Sequence, residues 1–213
     1  MTLTTSRHLT AAATLLVGFA LAGCSVPAAQ PSGTASPTTE SAAGGVREIT
    51  TDGNCAPGEN VAVTAADASA VITGDCGTVS ITGANVHANI DSAKKLSVTG
   101  AGAAIIGKKW GSVETTAATV SLNADEIAEL TVSGADTTVV LSAKAGKASL
   151  GGDRGSFNAH DVQDLSIAGA HNGVVLSGKL GALRVSGNDN TVNWSSGVTS
   201  PDSDTGIRNS YIR

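Results

Sequence analysis

The chain has 213 residues, 41% of them apolar but only 2% aromatic, with 26 glycines and a formal net charge of −5. This composition excludes a large aromatic core and suits one elongated domain of small aliphatic side chains, and an acidic balance without basic runs argues against a nucleic-acid partner. Setting aside residues 1–23, whose single Lys or Arg is Arg7, leaves 12 basic against 18 acidic residues, or −6.

Residues 1–23 have the layout of an export signal. Arg7 and His8 precede an apolar run over 11–22, too short to span a bilayer as a mature helix. Leu21-Ala22-Gly23-Cys24 then resembles the lipobox of bacterial lipoproteins. The resemblance implies cleavage before Cys24, acylation of that cysteine and anchoring to the outer face of the cell membrane, which two or more acyl chains make stable. Residues 24–47 are expected to be the lipidated cysteine and its tether. Residues 25–47 are rich in Ser, Thr, Ala and Pro with one acid, Glu40, and bury too little apolar surface to fold. A flexible tether of this length reaches roughly 25 to 30 Å.

Three cysteines leave an odd one in an exported chain unless one is modified. With Cys24 lipidated, Cys55 and Cys76 remain. Their separation of 21 residues is one coil of the repeat described next plus a short insertion, so they can bridge adjacent coils in a disulfide worth about 3 kcal/mol. Two buried free thiols are the alternative. No CxxC or HxxxH spacing suggests zinc.

From residue 61 onward the chain repeats. Leu96-Ser97-Val98-Thr99-Gly100 recurs in close copies ending at Gly83, Gly134, Gly169 and Gly187, and in weaker ones ending at Ala65, Ala117 and Gly152, so the spacing is always 17 or 18. A fixed short period means a solenoid whose units bury their apolar sides by stacking. The expected fold is all-β: a single-stranded parallel β-helix over residues 48–213, right-handed, with about eight coils, three faces and a length of about 38 Å. Counted from the closing residue, inward pairs lie two and four positions before it and five and seven after it. A third inward column is Cys76, Ala93, Trp110, Ile127, Ala145, Val162 and Leu180. Trp110 is expected to fill the volume missing at Ala93 and Gly107, and Trp194 also points inward.

Other columns point outward. Asn172, Asn190 and Asn209 form an expected corner ladder, with Asn in left-handed backbone. Val71, Asn89, Ile106, Asn123, Val140, Asn158, Val175 and Asn193 alternate along one line. This reads either as a sheet face kept soluble by Asn or as a flat docking surface built on Val71, Ile106, Val140 and Val175. Asp91, Lys108 and Asp125 stack with alternating sign, which predicts that Lys108→Glu lowers the melting temperature more than Lys147→Glu. Thr64, Thr82, Thr99, Thr116 and Ser133 make a hydroxyl strip that resembles the ice-facing arrays of some β-solenoid antifreeze proteins, although Thr is favoured on any exposed strand.

Catalytic signals are weak. His87, His160 and His171 occupy three different columns and read as surface or corner residues. Asp202-Ser-Asp204-Thr-Gly206 opens like a calcium loop, but Arg213 stands where the bidentate Glu is needed. Coils of even length leave no long loops to gather charged groups. No enzyme activity, cofactor or metal is expected, and a filled interior has no room for a carried lipid.

The Cys55 and Cys76 pattern, the V-x-V-x-G corners, and the ending Ser186-Gly-Asn-Asp-Asn-Thr-Val-Asn-Trp194-Ser-Ser-Gly197 resemble a domain of unknown function found in actinobacterial, notably mycobacterial, lipoproteins. The likeness covers about residues 48–209 and is poorest between 100 and 160. It implies a membrane-anchored exported protein and carries over no catalytic residue. The expected function is a lipid-anchored, non-enzymatic spacer or interaction module of the cell envelope, held to the membrane through Cys24, with an envelope protein or glycan as partner. The alternatives are an envelope polysaccharide-binding or polysaccharide-active β-helix and a surface binder using the Thr face.

Overall fold

Along each turn of the repeat, buried and exposed side chains alternate, so only one side of every strand can be satisfied locally; stacking satisfies the other. The computed structural model describes residues 45–213. Cys24, the export signal and the tether up to residue 44 lie outside the described residues. The described strands are β1 (Val46–Glu48), β2 (Gly53–Asn54), β3 (Asn60–Val63), β4 (Ser69–Ile81), β5 (His87–Val98), β6 (Ala104–Thr115) and β7 (Ser121–Val132). They continue with β8 (Thr138–Leu150), β9 (Ser156–Ala159), β10 (Asp161–Ile167), β11 (Gly173–Val185), β12 (Thr191–Gly197), β13 (Ser203–Asp204) and β14 (Ser210–Ile212). Every pairing is parallel, and the path β1-β3-β4-β5-β6-β7-β8-β10-β11-β12-β14 follows chain order, as expected of a coil stacking on its predecessor. The described residues contain no helix.

One register line shows the stack: Val61, Val79, Leu96, Val113, Leu130, Ala148, Leu165 and Leu183 lie one above another. Beyond its ends the stack continues, because Arg47 pairs in register with Val61 and Ser203 with Arg184. The solenoid therefore has about ten turns, not the eight expected, and its first strand begins at Val46, two residues before the expected boundary at 48. The terminal turns escape the pattern because they are caps. One side of each faces water, and polar residues such as Arg47, bonded to Glu59 at 2.6 Å, stand where aliphatics stand elsewhere.

The alternation of 17 and 18 residues has a local cause. Between the second and third faces some turns pass the corner with one residue, such as Asp91, Lys108 or Asp125, and others with two, such as Thr73-Gly74, Ser142-Ala143 or Ser177-Gly178. The register shifts of the ladder fall there. The extra residue is absorbed at an exposed corner, so the inward columns stay aligned. At the closing position the turns approach closely: a methyl on Gly100, Gly134, Gly169 or Gly187 would run into the closing carbonyl of the preceding turn. Alanine stands there only at residues 65 and 117.

All three inward sets are buried, and Leu96, Leu165, Leu183 and Val192 are fully inaccessible. Trp110 lies over Gly107, where a side chain would overlap the indole, so the expected volume exchange holds. Trp194 donates from Nε1 to the Val198 carbonyl at 2.7 Å and meets the Tyr211 ring edge-on at 6.4 Å. Tyr211 in turn donates to Asp204 at 2.6 Å. Burial, with this bond to a carboxylate, pushes the Tyr211 phenol above its usual range.

Two features differ from expectation. A fourth inward column lies three residues after the close, filled by Ala68, Val86, Ala103, Val120 and Thr137 and then by Asn172 and Asn190. The Asn ladder is thus internal at Asn172 and Asn190 and half-buried at Asn209, and the left-handed residue is one position earlier. Asp67, Asn85, Gly102, Thr119, Asp136, Arg154, His171, Asp189 and Arg208 all have φ between 54° and 72°. The second is Thr115, which occupies an inward position with 0% exposure and a hydroxyl that has no hydrogen-bond partner. Leaving a buried hydroxyl unpaired costs about 1 to 3 kcal/mol, so Thr115→Val should raise stability by about 1 kcal/mol. Chemical denaturation would read this, and a loss of stability would mean that the hydroxyl is bonded in solution.

Candidate functional site

A filled interior confines any site to the outer surface, where the stacked turns convert sequence columns into straight lines of side chains. Cys55 and Cys76 form a disulfide with Cα atoms 5.2 Å apart, and both are buried in the core at its N-terminal end. It is a clamp on the first turns, with the Cys55 backbone N–H donating to the Thr73 carbonyl at 2.8 Å.

The line of alternating apolar and Asn residues exists as one register: Val71, Asn89, Ile106, Asn123, Val140, Asn158, Val175 and Asn193. It continues to Ile212, which the repeat pattern missed because it sits in the cap. Val71, Ile106, Val140, Val175 and Ile212 are all exposed, Ile106 to 56%. Apolar side chains thus recur at every second turn, about 9.6 Å apart, too far for direct contact. The Asn between them keeps the line from being a continuous apolar edge.

The corner column behaves as a charge ladder only in part. Lys108 donates to Asp91 at 2.7 Å, while Asp125 instead accepts from the Ser142 hydroxyl at 2.6 Å. The bond to Asp91 raises the Lys108 pKa. Lys147 fails as the contrasting site, since it lies in register between Glu129 and Asp164 and its reversal would also bring carboxylates together. Lys94, in register one residue beyond the Ala93–Trp110 and Cys76–Ala93 pairs, stacks between Gly77 and Gly111. We expect Lys108→Glu to lower the melting temperature more than Lys94→Glu, and equal melting curves would remove the ladder.

The left-handed column carries its own ion pairs. Arg154 bonds Asp136 through two contacts of 2.8 Å, and Arg208 bonds Asp189 in the same bidentate way. The guanidinium in each pair holds its partner carboxyl below the usual range. His87, His160 and His171 stay in separate columns, all exposed. His160 lies 3.1 Å from Asp161, and His171 lies 3.8 Å from Asp189. Among the described residues no group of His, Cys, Asp and Glu is placed to hold a metal. Asp202 and Asp204 spend their carboxylates internally, Asp202 on the Leu183 amide and Asp204 on Gly206, Asn209 and Tyr211. The hydroxyl strip is exposed, and at its start Thr64 donates to Glu48 at 2.6 Å.

Sequence reading missed a surface groove. A groove of about 950 Å³ runs along the corner that follows the third inward column. Gly111, Ala128, Gly146 and Gly181 floor it, with Gln163 between the last two, and a methyl on Gly146 or Gly181 would meet the preceding turn's carbonyl. One wall is the line Lys109, Glu126, Lys144, Asp161 and Lys179; the other includes Glu129 and Lys147. Only Lys144 of the groove lysines is in an ion pair, with Glu126 at 3.7 Å. Asp161 accepts the Lys179 backbone N–H at 2.6 Å, which lowers its pKa. Writing the sequence in rows of one turn would have shown this wall, since its charges lie 17 or 18 residues apart.

Residues 63–118 and 160–202 match a family described as Protein of unknown function (DUF3060). The DUF3060 match leaves out residues 119–159, a stretch that overlaps the one where the V-x-V-x-G corners are most altered. Those intervening turns keep the same register and the same buried columns, so the coil persists where the family pattern lapses. No match is found among curated proteins or among solved structures.

Proposed function

We propose that this protein is an exported, lipid-anchored β-solenoid that works without catalysis, holding binding faces away from the membrane in the cell envelope. The observation that carries this reading is the Cys55–Cys76 disulfide in a chain that begins with an export-like segment ending in Leu21-Ala22-Gly23-Cys24. Structural disulfides persist in oxidising compartments, and pairing these two leaves Cys24 for acylation. The DUF3060 match, to a family of unknown function, adds no activity. The closely stacked turns with short corners support a presenting role, because they set outward side chains in straight columns. A glycan or protein of the envelope is the partner this reading calls for, and the groove favours the glycan.

The test is metabolic labelling with a palmitate analogue in a bacterial host that processes lipoproteins. The native chain should take up label and sediment with membranes, while Cys24→Ser should do neither. Label-free native chain in the soluble fraction would overturn the anchor.

A further inference from the structure

We propose that the lysine-walled groove binds a linear acidic polysaccharide lying along the solenoid axis, one whose carboxylates are separated by neutral, hydroxyl-bearing sugars. The proposal deepens the reading above by naming its ligand class.

Charge is the first argument. Lys94, Lys109, Lys144, Lys147 and Lys179 line the groove against Glu126, Glu129 and Asp161. This leaves two positive charges in excess on a chain whose overall charge is −5. Lys109, Lys147 and Lys179 are exposed and have no ion-pair partner in the structure, although carboxylates stand one turn away. With Lys94, which also has no ion-pair partner, four such ammonium groups gathered in one concavity form a site for anions.

Spacing is the second. Lys109, Lys144 and Lys179 occupy every second turn of one wall, about 9.6 Å apart, with Glu126 and Asp161 on the turns between. A densely charged polymer such as a polyphosphate would set anions against those two carboxylates. A chain with sparse carboxylates instead meets the lysines with its charges and offers hydroxyl donors to Glu126 and Glu129. The lining contains no arginine, the residue whose fork favours phosphate. The one aromatic residue at the groove, Trp110, is 1% exposed and turned into the core, so stacking on a neutral sugar ring is not available.

Shape is the third. The small residues Gly111, Ala128 and Gly146 give an extended chain close access to the backbone over three successive turns, with the exposed amide of Gln163 on the next turn as a further hydrogen-bonding group, and the groove is open rather than a closed pocket suited to a small molecule.

The test uses the full chain in detergent with fluorescent hyaluronate, a polymer carrying one carboxylate on alternate sugars, and with neutral dextran and polyphosphate for comparison. Hyaluronate should bind at low salt and be released as salt rises, and dextran should not bind. The triple variant K109Q/K147Q/K179Q should bind hyaluronate about tenfold more weakly, the effect expected of three exposed charge contacts. K108Q, on another face, should bind as the parent does. If the triple variant fails to fold, Ser112→Lys, inside the same groove, should tighten binding instead. Unchanged binding in either groove variant, equal binding of dextran, or binding of polyphosphate but not hyaluronate would overturn the proposal. These results do not depend on acylation, so failure of the palmitate experiment and failure of this one are separable.

Discussion

Replacing Asn190 by alanine should destabilise the solenoid by about 2 to 6 kcal/mol, more than any surface change considered above. Asn190 is fully buried. Its Oδ1 accepts the Asn172 backbone N–H at 2.8 Å, and its Nδ2 donates to the Gly169 carbonyl at 3.0 Å. The same arrangement recurs one turn away on each side: Asn172 bonds Gly155 and Gly152, and Asn209 bonds Asn190 and Gly187. Alanine strands one buried donor and one buried acceptor, each costing about 1 to 3 kcal/mol. Asn190→Asp should be as damaging, because it keeps the acceptor but loses the donor and buries a charge. Urea denaturation of the three proteins checks this. A cost below about 1 kcal/mol for Asn190→Ala would mean that water takes over the two bonds.

Removing the Cys55–Cys76 bridge by Cys55→Ala and Cys76→Ala together should cost about 3 kcal/mol, from the freedom regained by a loop of this length in the unfolded chain. The loss should be local. In a solenoid each turn leans mainly on its neighbours, so hydrogen exchange should accelerate over β1 to β3 while β8 to β12 keep their protection. A uniform rise over all strands would show instead that the ten turns unfold as one cooperative unit.

The period and the inward columns were legible because the physics that sets them is strictly repetitive. Leu165 must face inward for the reason that Leu96 does, and both are fully buried. What escaped the sequence had other causes. Arg47 and Tyr211 belong to terminal turns, where one neighbour is missing and the aliphatic pattern gives way to polar capping. The buried place of Asn172 and Asn190 was hidden because an amide suits an exposed left-handed corner as well as an internal one. Only the column above, with Val86 and Val120, reveals the core. Thr119 and Arg154 hold the left-handed position although their side chains carry little preference for it. Thr115 reads as a strand surface residue by type and is a core residue by phase. The groove lysines went unnoticed because Lys109, Lys144 and Lys179 are far apart in the chain and meet only through stacking.

The internal amides also set an order of completion during synthesis. Each Asn side chain reaches back to the turn before it, so Gly155 waits for Asn172, and Asn172 waits for Asn190. In the earlier turns the matching column is mostly aliphatic, and each turn there depends on its successor through packing and backbone bonds such as Asp67 N–H to the Ala84 carbonyl and Asn85 N–H to the Ala101 carbonyl. A ribosome releasing this chain would therefore leave every turn provisional until its successor arrives, and in the second half that dependence extends to a buried side chain as well.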